Sequence, residues 1–169
     1  HAAGALLPAL MAVGLALITP DTRPRAVHLP EAANSFYLDA TQAPWSRHWR
    51  MESYLVRELL PLVAAELPID GLRLGILGHG MGGHGALMLA LRHPGLFRSL
   101  SAFAPIASAA SSSSGQLALG NCLGPGREAW QRKFPGAGSG VGAESDRPDQ
   151  WRPALLIGLE HGRQFRGGR

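Results

Sequence analysis

The stretch Leu77-Gly78-His79-Gly80-Met81-Gly82-Gly83-His84-Gly85 carries glycines at a spacing that several chemistries use. A Gly-x-Ser-x-Gly turn between a strand and a helix displays a nucleophilic serine. The turn is so sharp that side chains at its outer positions would collide with the flanking elements. Gly78, Gly80 and Gly82 reproduce that frame, with His79 and Met81 between them, but the central residue has no side chain. Glycine takes up the strained central conformation more readily than serine, so the turn is expected to form with nothing to attack with. Gly78-x-Gly80-x-x-Gly83 also matches a dinucleotide fingerprint, which wants an acidic residue ~20 positions on, at the end of the next strand. Here that strand ends in Phe103-Ala104-Pro105-Ile106, without an acid. The Gly-Lys-Ser/Thr of a phosphate-cradling loop does not occur. His79 and His84 lie five apart, without the i,i+4 spacing or a third donor of a metal site, and read as polar packing at the turn.

The elements that must position this turn follow from punctuation and periodicity. Leu72–Leu77 is a short apolar strand of the kind buried on both faces of a parallel sheet. A helix over Gly83–His93 follows, stopped by Pro94-Gly95, and then a strand over Leu100–Ala104 closed by Pro105. Upstream, Met51–Leu67 has apolar residues at 51, 54, 55, 59, 62 and 63, one stripe along a helix that Pro61 kinks or restarts. His1–Pro20 is strongly apolar, but Pro8 and Gly14 divide it and no basic segment precedes it. It reads as a helix over Ala5–Val13 and a buried strand over Leu15–Thr19, with no membrane span. Residues 107–115 and 135–149 are low-complexity and read as loops. A weak helix is expected over Arg127–Lys133 and a last strand over Ala154–Leu159. Alternating strands and helices imply right-handed crossovers and an α/β, mostly parallel sheet.

Composition narrows the function. The chain has 169 residues, 46% of them apolar, enough for one domain with a core. Its charge of +4 comes from 16 basic and 12 acidic residues, with no basic run, so nucleic acid is not the expected partner. One cysteine, Cys122, cannot form an internal disulfide, which suits a reducing, cytoplasmic setting, and it reads as an inert, half-buried thiol.

Longer segments then resemble one family. Pro20-Asp21-Thr22-Arg23-Pro24-Arg25, Ser35-Phe36-Tyr37-Leu38-Asp39-Ala40-Thr41, Pro44-Trp45, Arg50-Met51, Ser53-Tyr54, Gly78–Leu87 and Ser99–Ile106 occur in order. Over about residues 14 to 106 the chain is similar to S-formylglutathione hydrolases, of the α/β-hydrolase fold. The resemblance implies a serine thioester and carboxylic ester hydrolase of formaldehyde detoxification that needs no cofactor and no metal. It places the nucleophile at Gly80, one oxyanion donor at the backbone N–H of Met81, and the triad acid near Arg163, just before Gln164-Phe165. It puts the triad histidine beyond Arg169 and the other oxyanion donor before His1. With the serine and acid replaced and the histidine not in the chain, the expectation is a catalytically inactive protein. Residues 1–169 are expected to form one incomplete domain, weakly ordered and divergent over 106–169. The candidate partners are a small thiol ester or glutathione-like ligand and a second copy, through a sheet edge left exposed.

Overall fold

The computed structural model describes residues 8–10, 12–21, 34–106, 109–111, 113–133 and 154–159. Four strands, β1 (Leu15–Ile18), β2 (Asp70–His79), β3 (Ser99–Phe103) and β4 (Ala154–Leu159), form one sheet in the order β1-β4-β2-β3. Every pairing is parallel, as the alternation of strands and helices predicts. β2 runs through the interior with a neighbour on each side, which explains its apolar run: Leu74 and Ile76 are buried. It begins earlier than expected, and its first residues pass a register shift between Asp70 and Leu74 that leaves Leu72 exposed. Among the described residues the sheet edges are β1, half-buried along its length, and β3.

Helix α1 is continuous but not uniform. Met51–Ser53 is α-helical, Tyr54–Leu59 is π-helical, and Leu60–Glu66 resumes the α form with Pro61 in its first turn. A proline ring inside a helix collides with the carbonyl four residues back and offers no N–H. The wider i→i+5 spacing just before Pro61 relieves that conflict, so the expected restart takes the form of a π segment. The widened turn also rotates the later side chains. Leu60 and Val63 are buried while Leu62, placed on the buried stripe by periodicity, is exposed.

Helix α2 (Met81–Arg92) packs on β2, β3 and β4. Arg92 and His93, at its C-terminal end where cations oppose the helix dipole, both reach Glu52 of α1, with His93 Nε2 3.1 Å from the carboxylate. The low-complexity stretch departs from expectation. Ala109–Ser111 is a 3-10 turn and Ser113 opens helix α3 (Ser113–Leu123), where a loop through residue 115 was expected. Ala118, Leu119, Cys122 and Leu123 are buried, an i, i+1, i+4, i+5 pattern that turns one helical face to the core. Gly124, at φ 88°, ends the helix by donating its N–H to the Gly120 carbonyl at 2.9 Å. Helix α4 (Arg127–Lys133) stands where the sequence puts it, and Trp130 Nε1 donates to the Gly124 carbonyl. Cys122 is fully buried, and burial pushes its thiol up to about 11, consistent with the inert reading.

Candidate active site

The glycine turn joins β2 to α2. Gly80 sits at φ 58°, ψ −117° as the N-cap of α2, which therefore starts two residues before the expected Gly83. Close approach demands glycine at Gly78 and leaves little room for a side chain at Gly83. A Cβ on Gly78 would lie 2.2 Å from the Gly82 carbonyl oxygen and 2.7 Å from the Gly83 nitrogen. A Cβ on Gly83 would meet the Phe103 and Gly78 carbonyl oxygens at 3.1 Å. Gly80 is different in kind: among the described residues, and apart from its chain neighbours, a Cβ there would meet nothing within 4 Å. A side chain at this position would project into open space, which is what a displayed nucleophile requires. Met81, the first residue of α2, and Gly82 are buried beneath the turn, and the Met81 N–H lies at the positive end of the helix. His79 is exposed.

Two further segments brace this turn. After β3, Ala104 takes φ 40°, and the chain folds back so that Gly80 N–H donates to the Phe103 carbonyl at 3.0 Å while Ile106 N–H donates to the Gly80 carbonyl at 3.3 Å. On the other side, Phe36 and Tyr37 take φ 44° and 55°, rare for bulky residues, and both are buried. The Ser35 hydroxyl accepts from Tyr37 N–H and the Ser35 carbonyl from Leu38 N–H, closing that corner. The Asp39 carboxylate accepts the backbone N–H and the hydroxyl of Ser53, tying the same segment to the first turn of α1. Ser35–Thr41 is marked in the sequence only by its resemblance. Its structural work, a buried aromatic corner against α2, had no periodic signal.

His84 lies under the corner. It is buried, Phe36 meets it edge-on with ring centroids 5.8 Å apart, and its Nδ1 is 2.8 Å from the Ile106 carbonyl. Burial lowers its pKa below the ordinary 6.5, the hydrogen bond to Ile106 opposes that, and the Arg92 charge lowers it further. The unfolded chain therefore binds a proton at pH values where the native imidazole stays neutral. Stability is complete above pH 6.5 and falls as the pH drops below it, by at most about 1.4 kcal/mol per pH unit from this group. Urea unfolding between pH 7.5 and about pH 5 should show that slope, and His84→Phe should flatten it whatever its cost in absolute stability.

The fold thus gathers Gly78, His79, Gly80, Met81 and Gly82 at one turn. His79 and His84 diverge, one exposed and one buried, and among the described residues no three His, Cys, Asp or Glu side chains form a metal-binding group. Ser99 and Ser101 are exposed on β3, and Ser111 belongs to the 3-10 turn. Arg163, the expected acid position, lies outside the described residues. None of the described helices is long and apolar enough to cross a membrane.

A parallel sheet whose interior strand passes through a sharp glycine turn into a helix is the frame of an α/β-hydrolase. The chain belongs to the esterase family, whose sequence profile matches residues 7–162. It is 44% identical over 126 residues to the S-formylglutathione hydrolase of Mus musculus, a match covering 70% of this chain and 45% of that protein. To the S-formylglutathione hydrolase of Paracoccus denitrificans it is 45% identical over 127 residues, again 45% of that protein. The solved structure of an S-formylglutathione hydrolase from Agrobacterium tumefaciens superposes with a TM-score of 0.63 at 45% identity, over 68% of this chain and 44% of that one. The chain spans about half the length of the relatives it matches.

Proposed function

We propose that this chain is S-formylglutathione hydrolase-like by descent and does not itself hydrolyse thioesters or esters. The observation that carries this reading is Gly80. In serine hydrolysis the hydroxyl at this position attacks the carbonyl carbon as a histidine takes its proton. Backbone N–H groups hold the oxyanion, the thiol leaves with a proton, and water then releases the acyl group. Gly80 can form no acyl intermediate. Loss of the nucleophile alone costs on the order of 10⁶ in rate in a triad enzyme. S-formylglutathione or an aryl acetate should therefore turn over no faster than with free imidazole, and saturable hydrolysis well above that level would overturn the reading.

Installing the missing hydroxyl is not expected to restore activity. Among the described histidines, His84 directs Nδ1 at the Ile106 carbonyl and His93 directs Nε2 at Glu52. Apart from its chain neighbours, no described imidazole lies within 4 Å of a Cβ at position 80. Gly80→Ser should fold, lose about 1–3 kcal/mol from a non-glycine residue at positive φ, and remain unlabelled by a fluorophosphonate. Labelling at position 80 would mean that another histidine had been recruited as base.

A second reading, non-catalytic binding of a glutathione-like thiol ester or a partner chain at the turn, is favoured by the open space above Gly80. A saturable rise in melting temperature with glutathione supports it, and no shift supports loss of function alone. Association of copies through a sheet edge belongs to the same reading, and a concentration-dependent mass in sedimentation tests it.

A further inference from the structure

Three pieces of backbone at positive φ lie near the start of α2. Gly80 is at positive φ, Ala104 is at φ 40°, and Phe36 with Tyr37 form a left-handed corner. His84 touches two of them. Its own N–H donates to the Gly80 carbonyl at 3.0 Å, as the first hydrogen bond of α2. Its ring is met edge-on by Phe36. A carbonyl oxygen can only accept, so the 2.8 Å contact between His84 Nδ1 and the Ile106 carbonyl places the ring proton on Nδ1. Ile106 is in turn the residue whose N–H donates to the Gly80 carbonyl, and Phe103, three residues earlier, accepts the Gly80 N–H. Gly83, adjacent to His84, lies so close to the Phe103 carbonyl and Pro105 Cα that only hydrogen fits there without a shift.

We propose that His84 is a positioning residue for the elbow. Through Nδ1–H it pins the turn over residues 103–106, and that turn holds both backbone groups of Gly80 in the displayed conformation. This rests on the elbow being the functional turn and extends that reading. The conformation at position 80 is dictated by a side chain on the following helix. Burial disfavours the charged imidazole, and Nδ1–H donates to the Ile106 carbonyl.

Amide hydrogen exchange on the whole chain tests this without any substrate, so its failure is separable from failure of the hydrolysis and binding experiments. His84→Leu should speed exchange at Gly80 and Ile106 about tenfold beyond any change at Ile76 and Leu89, the effect of losing one hydrogen bond. His84→Asn, whose side-chain N–H falls near the Nδ1 position, should return both amides to within about threefold of the parent. His84→Gln, whose N–H reaches toward the Nε2 position, should not. If His84→Leu fails to fold, the Asn and Gln variants decide by the same comparison. A uniform rise at all four amides, or equal behaviour of the Asn and Gln variants, overturns the assignment.

Discussion

Gly78→Ala is expected to destabilise the protein by about 3 kcal/mol or more, the largest effect of any single methyl group added at the elbow. The new Cβ would sit 2.2 Å from the Gly82 carbonyl oxygen, 2.3 Å from the Gly82 carbonyl carbon and 2.7 Å from the Gly83 nitrogen. All three atoms are backbone of the first turn of α2, so no rotamer change removes the overlap. Relief requires α2 to move away from β2, against the burial of Met81, Ala86 and Leu89. Gly126→Ala, with no described residue within 4 Å of its new methyl, serves as the control and should be close to neutral. Urea unfolding of the pair measures the difference, and a cost below about 1 kcal/mol at Gly78 would show that the helix start yields freely.

The second large effect is expected at Gly85→Ala, and its origin is a side chain. The added methyl would lie 2.3 Å from Tyr37 Cδ2, 2.7 Å from Cγ and 3.1 Å from Cβ. These are the inner atoms of the Tyr37 side chain, and its backbone is already held at φ 55° beside Phe36 at 44°. With Tyr37 1% exposed, the ring has nowhere to swing, and the expected cost is about 1–3 kcal/mol. A double-mutant cycle with Tyr37→Leu separates this cause from helix propensity, which by itself favours alanine over glycine. The cost should shrink or reverse sign when the ring is gone. Strict additivity would mean that Tyr37 and Gly85 do not compete for the same space.

The glycines of one short motif therefore do different work. Gly78 admits the helix backbone, Gly85 admits the Tyr37 ring, and Gly80 adopts a conformation that alanine or serine would reach with strain. Their spacing is legible as a strand-to-helix turn, and the apolar runs and breakers around it locate β2, α2 and β3 to within two residues at each end. Strand β4 and helix α4 stand where their apolar and charged runs put them. Helix α3 is hidden in the sequence because its serine-rich start reads as a loop. The stop at Gly124-Pro125 and the buried spacing of Ala118, Leu119, Cys122 and Leu123 were signals that could have found it. Leu62 was assigned to the wrong face because a π segment adds a residue to the turn, which a 3.6-residue period does not anticipate.

What the sequence by itself determined is chemical: the absence of a hydroxyl at position 80, the alternation that demands a parallel sheet, and the motifs shared with S-formylglutathione hydrolases. These are properties of residue type and spacing along the chain, which need no knowledge of what packs against what. Only the tertiary structure decided that β4 lies between β1 and β2. Backbone hydrogen bonds pair strands without reading their side chains, so an apolar run does not name its neighbours. The same holds for the direction in which His84 turns its Nδ1 proton and for the buried Phe36–Tyr37 corner. Both depend on residues tens of positions away that packing alone brings against α2.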